Sequence, residues 1–229
     1  MRLTRRAIAL TLAGVLAAAG VAAVLWPAPP IPPDSIERTP TYQNEALLAR
    51  AWSLPVAHRY GPAGYVYQPN QSVCGPTSVA DVMLSEGRPT DPKTVADLSG
   101  AFQIFGYLPR GLTLDQEAEV LGKAADAPVK TLRGLSLDDF RAEMAKSNDP
   151  SERIVVNFTR EPLFGRGHGH FSPVLGYLAD QDLVFVGDVN ARFKPWLVPT
   201  QRLYEAQNTI DSDSGLKRGV LEVEARQPL

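Results

Sequence analysis

Only one cysteine, Cys74, occurs in 229 residues. That excludes an internal disulfide and any zinc cage built on several thiolates. Histidine is nearly as scarce, with His58, His168 and His170, so a histidine-rich metal site is excluded and no metal ligand or bound cofactor is assigned. An excess of charge of one sign is also missing. A formal net charge of -2 offers no electrostatic attraction to nucleic acid or to an anionic membrane surface. No internal repeat is visible, which removes the solenoid architectures. What is present is ordinary: 44% hydrophobic and 21% charged residues, enough for a single domain with a real core.

The amino-terminal end has a texture of its own. Arg2, Arg5 and Arg6 precede an uncharged run from Ala7 to Trp26, a positive region followed by an apolar one, as in a targeting signal. The small residues Ala17 to Ala19, Ala22 and Ala23 offer cleavage sites. Uncleaved, the run of about 20 residues is long enough to span a bilayer. Residues 1–26 therefore read as a signal peptide or an amino-terminal membrane anchor. The expectation is an exported protein, periplasmic or held at the outer face of the cytoplasmic membrane, that meets a membrane only through this segment. The proline-rich stretch 27–41 reads as a stiff linker, and residues 42–229 as the folded domain.

Within that domain, helices come first and strands later. Asn44 to Trp52, Gly75 to Gly87, Pro92 to Leu98, Leu114 to Leu121 and Leu135 to Ala145 carry helical spacing or start signals. Gly64 to Gln68 looks extended. Ile154 to Phe158, Phe171 to Leu178, Leu183 to Val189 and Gly219 to Val223 read as strands. This order predicts an α+β fold with a helical amino-terminal half and an antiparallel sheet after it.

Cys74 ends a loop and opens a predicted helix, where the helix amino terminus favours the nucleophilic thiolate. By itself a single cysteine is more often a small buried hydrophobe. Gln68, six residues upstream, could join the Cys74 backbone N–H in binding an oxyanion. His170 begins one strand and Asp188 ends the next. A hairpin turning near Asp180-Gln181 brings them within about two or three residues of facing each other, so that the carboxylate can orient the imidazole. A helix-opening cysteine, a strand histidine and a neighbouring-strand aspartate in that chain order follow the logic of papain-like enzymes. His58 has no acidic neighbour. His168 lies in the glycine-rich stretch before the strand and is the weaker rival to His170.

Gln68-Pro-Asn-Gln-Ser-Val-Cys74-Gly75, Gly169-His170-Phe171-Ser172-Pro173, and Asp188-Val189 followed by Ala191-Arg192-Phe193-Lys194 together resemble the catalytic domain of phytochelatin synthases. Asn208 to Asp211 and Arg218-Gly219 extend the resemblance, which covers roughly residues 44 to 225. It implies a papain-like fold and attack by Cys74 on the amide joining γ-Glu-Cys to glycine in glutathione. The acyl group then passes to water or to a second glutathione, making glutathione donor and, in the second case, acceptor. By the same resemblance Gln68 serves the oxyanion and Gly169 the substrate. Asp211 and Arg218 hold the γ-glutamyl amine and carboxylate, and Arg192 and Lys194 belong to an acceptor-associated strip. That strip departs from the family pattern: Asn190 adds a residue, and Lys194 runs into Pro195-Trp196 without a tyrosine. This favours hydrolysis over chain extension. Stimulation by heavy-metal ions such as cadmium, as thiolate complexes, and a homodimer are left open.

Cys-Gly-Pro-Thr-Ser, residues 74–78, also resembles the double-glycine, bacteriocin-processing C39 type of cysteine peptidase. Arg192, Lys194, Asp211 and Arg218 argue against that alternative. A catalytically silent binding module is the third reading.

Overall fold

The computed structural model describes residues 30–61 and 64–226. The expected signal or anchor segment 1–26 lies outside them, and among the described residues no helix is long and apolar enough to cross a membrane.

The packed chain reaches further toward the amino terminus than Tyr42. Ser35 caps a single 3-10 turn, Ile36–Arg38, and Ile36 is fully buried in the main core. The stretch read as a linker is thus partly core, because one isoleucine in it finds an apolar socket. Helix α1 (Glu45–Trp52) follows its cap Asn44, whose side chain accepts from Leu47 N. A short turn, α2 (Ala57–Tyr60), leads into irregular chain and then α3 (Cys74–Ser85). Residues 64–68 form no strand. They are held instead by Val66 N donating to Asp81 on α3 and by Gln68 N donating to Val189 O.

Helix α4 (Pro92–Leu98) starts at Asp91 with proline in its first turn. Helix α5 (Leu114–Ala125) starts with a full capping box between Thr113 and Gln116. Strand β1 (Val129–Arg133), helix α6 (Leu137–Lys146, capped by Ser136), strand β2 (Glu152–Thr159), the short α7 (Glu161–Phe164) and strand β3 (Gly169–Leu178) come next. Strands β4 (Leu183–Val186) and β5 (Trp196–Pro199), helix α8 (Thr200–Gln207) and strand β6 (Gly219–Glu224) complete the chain.

The six strands form one antiparallel sheet in the order β1-β6-β2-β3-β4-β5. Alternation along each strand divides the core. Val156, Phe158, Val174 and Val220 face α6 and α8, in a cluster with Phe140, Met144 and Leu203. Val155, Phe171, Leu221 and Val223 face α3 and α5. Helix α3 is therefore buried nearly all round. Its hydroxyl side chains turn inward on its own backbone: Thr77 Oγ1 donates to Val73 O, Ser78 Oγ to Cys74 O, and Ser85 Oγ to Val82 O.

The β3–β4 hairpin pairs Leu178 with Leu183, shifts register at a bulge between Val174 and Gly176, and ends its ladder at Val186. The strand expected to run to Val189 stops early. Gly187 still donates to Pro173 O, but its carbonyl is taken by Tyr65 Oη. A side chain at Gly187 would strike that hydroxyl at 2.5 Å. Asp188 leaves the sheet at this point.

Candidate active site

Cys74 is the first residue of α3, placed there by Val73, which serves as N-cap without any side-chain hydrogen bond. The first N–H groups of the helix therefore have no side-chain cap competing for them. Cys74 is half-buried. Burial pushes its thiol up to about 11, against the lowering effect of the Phe171 backbone N–H, with Glu117 raising it further and Arg160 opposing. The expectation that the helix terminus favours the thiolate is thus outweighed by desolvation, and the resting sulfur is protonated.

His170 is 5% exposed and Asp188 fully buried. His170 Nε2 lies 3.1 Å from Asp188 Oδ1, which is the pairing expected from the hairpin. Asp188 also accepts from Trp196 Nε1 at 2.9 Å, from Asn190 N at 2.9 Å, and from Arg160 Nη2 at 2.7 Å on both oxygens. Burial would raise this carboxyl, but the charges of His170 and Arg160 and the His170 and Trp196 hydrogen bonds hold it well below the usual carboxylate range. Asp188 is therefore an anion, so His170 Nε2 must donate to it and Nδ1 carries the free lone pair. Burial first, then Arg160, lowers the imidazole below its ordinary value, with Asp188 pulling the other way. A neutral thiol and a neutral imidazole are the resting pair, and the imidazole can take a proton.

Arg160 was not singled out in the sequence. It follows β2, its N–H donates to His168 O, and its guanidinium stacks 4.1 Å over the Phe193 ring. Its Nη1 is buried without a hydrogen-bond partner. Trp196 was also missed. Neither residue carries a sequence signal, because each gains its role only by meeting Asp188 across the fold.

Two adjoining concavities share Gln71, His168 and Gly169. The first is lined by Cys74, Phe171, Asn157, Asp211 and Arg218. The second is lined by Gln68, Arg160, His170, Arg192 and Phe193. Among the described residues no hydrogen bond joins Cys74 to His170; the two line adjoining concavities on either side of the shared residues. Gln68 has its Oε1 buried and without a partner.

Arg218 Nη2 donates to Asp211 Oδ1 at 3.2 Å, Nη1 donates to Ile210 O at 2.6 Å, and Nε is buried without a partner. A side chain at Gly169 would meet Arg218 Nη2 at 2.9 Å. Glycine there lets the guanidinium lie against the strand that carries His170. Arg192 is exposed at the second concavity, whereas Lys194 is exposed and lines neither. Among the described residues no cluster of side chains could hold a metal ion.

The fold and the sequence have relatives. The peptidase domain of Streptococcus ComA, a bi-functional ABC transporter involved in quorum sensing, superposes with a TM-score of 0.50 at 17% identity, over 71% of this chain and 97% of that domain. A C39-like peptidase from Bacillus anthracis gives 0.51 at 15% identity, over 72% and 95%. At such identities the likeness shows the fold alone, papain-like and α+β. Glutathione gamma-glutamylcysteinyltransferase 1 of Triticum aestivum is 37% identical over 111 residues, 46% of this chain and 22% of the relative. The glutathione gamma-glutamylcysteinyltransferase of Schizosaccharomyces pombe is 34% identical over 98 residues, 42% and 23%. The matches thus span less than a quarter of these relatives' lengths. The family model described as phytochelatin synthase matches residues 28–220, a range that takes in Cys74 and its helix, the His170–Asp188 hairpin and the Asp211–Arg218 wall. The chain belongs to the phytochelatin synthase family.

Proposed function

We propose that this protein is a cysteine-nucleophile enzyme that cleaves glutathione into γ-glutamylcysteine and glycine. The thiol proton of Cys74 moves to His170 Nδ1 as Sγ bonds to the carbonyl carbon of the cysteinyl unit. The same proton passes to the departing glycine nitrogen as the C–N bond breaks, leaving a γ-glutamylcysteinyl thioester. Water then hydrolyses the thioester, or the amine of a second glutathione takes the acyl group to give a short phytochelatin. Cadmium enters this scheme only as a thiolate complex of the substrate.

The observation that carries the reading is the Asp211–Arg218 pair in the concavity of Cys74. A carboxylate beside a guanidinium with an uncommitted buried Nε complements the ammonium and carboxylate of a free α-amino acid end. The γ-glutamyl group presents that end, whereas the interior of a peptide does not. A peptidase of the C39 type has no use for it. The protein, incubated separately with glutathione and with a double-glycine leader peptide, should release glycine from the first and leave the second intact. Mass spectrometry should find one γ-glutamylcysteinyl adduct on wild type and none on Cys74→Ala. Leader cleavage without glycine release would transfer the protein to the peptidase class.

A further inference from the structure

Glu117 is the buried acid that the chemistry above does not use. It sits on α5 at 0% exposure, and neither carboxyl oxygen has a hydrogen-bond partner. Its place is specific. A Cβ built on Gly75 would lie 2.3 Å from Oε2 and 3.1 Å from Oε1. The carboxyl therefore lies on the one residue of the first turn of α3 that has no side chain, directly after the nucleophile. Any larger residue at position 75 would expel it.

The surroundings leave its charge unanswered. From α3 the titratable neighbour is Cys74, and Glu117 acts on that thiol through its charge. The apolar core that α3 and α5 share takes Val95, Val129, Leu221 and Val223 from α4, β1 and β6. Arg160, at the end of β2, acts on Cys74 with the opposite sign. A carboxyl among aliphatic groups keeps its proton, and burial holds this one up to about 8. A neutral acid does not oppose a thiolate, whereas an ionised one beside it does.

We propose that Glu117 is a positioning residue for the nucleophile: lodged under the first turn of α3, it is neutral while Cys74 hands its proton to His170, and once it has lost its own proton it opposes the thiolate. The inference rests on Cys74 as the reactive thiol and not on glutathione as substrate.

Cys74 is the single cysteine of the sequence, so mass-resolved iodoacetamide alkylation of a thiol reports on it alone. The alkylation rate is followed from pH 6 to 10.5, without glutathione, on wild type and Glu117→Gln. The two proteins should react alike near pH 6. Above the titration of Glu117 the wild-type reaction should lag, leaving Glu117→Gln faster by about three-fold or more at pH 9.5, the effect of one nearby like charge. Superimposable curves overturn the proposal, even where Glu117→Gln shifts the melting temperature, because a purely structural acid would change stability and not thiol ionisation. If Glu117→Gln fails to fold, Glu117→Leu takes its place and is read in the same way, a faster variant at pH 9.5 supporting the coupling and superimposable curves overturning it. Because no substrate is present, failure here leaves the glutathione reading standing, and absence of glycine release leaves this one standing.

Discussion

Asp188 receives hydrogen bonds from an imidazole, a guanidinium, an indole and a backbone amide, so its oxygens are saturated and its position is fixed by three other segments and by its own following turn. Asp188→Asn exchanges one oxygen for a donor that faces Arg160 or Trp196 and removes control of the His170 tautomer. The expected result is a kcat lower by about three to four orders of magnitude, with the fold retained by circular dichroism. Asp182 differs. It accepts from Arg141 and Tyr177 and adopts a left-handed backbone at φ 51°, a conformation that asparagine tolerates. Asp182→Asn should lower stability slightly and leave turnover unchanged, and a collapse of turnover would refute the hairpin assignment. Activity should follow the neutral imidazole. Since burial and Arg160 lower the His170 value, the acid limb of kcat/KM should lie below pH 6.5, with activity lost as pH falls through it. For Arg218, removal of one partner of a desolvated pair costs about 2–5 kcal/mol, so Arg218→Ala should reduce kcat/KM about 30-fold or more. Wild type and variant should converge on a substrate lacking the γ-glutamyl α-carboxylate, which steady-state kinetics on the two substrates would check.

Between the catalytic elements runs a suture that no regular strand supplies. Residues 65–68 tie α3 to the chain leaving β4, through Val66 N to Asp81, Tyr65 Oη to Gly187 O, and Gln68 N to Val189 O. Tyr65→Phe removes one of these bonds while keeping the ring. The expected cost is about 1 kcal/mol, a fall of about 2–4 °C in Tm, with a several-fold loss of kcat and an unchanged KM. A calorimetric scan beside initial rates tests both halves. The helices were legible at this scale because their starts are written in short side chains: Asn44, Asp91, Thr113 and Ser136 each cap one. The interior strands were legible as apolar runs. Strands β1 and β5 were not, and both are edges of the sheet. Val129–Arg133 is only half-buried, and Trp196–Pro199 is four residues flanked by proline. Cys74, His170 and Asp188 could be found from chain order and element type. Arg160 and Glu117 could not, since their meaning comes from contacts with Asp188 and Gly75 across the fold.

In the molecule as a whole, the last strand of the chain, β6, lies inside the sheet between β1 and β2, and α3 is enclosed by strands formed much later in the sequence. The site thus exists only in the completed fold. Burying an unpaired acid in such a core has a signed effect on stability. Glu117 is held at about 8 in the folded state against an ordinary 4.5. Its folded form keeps the proton that the unfolded chain releases above pH 4.5, so this group stabilises the fold at low pH and the contribution is lost as pH rises toward 8. Glu117→Leu should therefore raise Tm by several degrees at pH 8 and by little at pH 5, as thermal scans at the two values would report. The protonated state of Cys74 at rest has a different consequence, in durability. Peroxides attack thiolates, so a sulfur that keeps its proton until substrate arrives is a poor target. With no second cysteine in the sequence to trap a sulfenic acid as a disulfide, such an injury would proceed toward irreversible forms. The desolvation that keeps the proton on Cys74 is thus also its protection against peroxide.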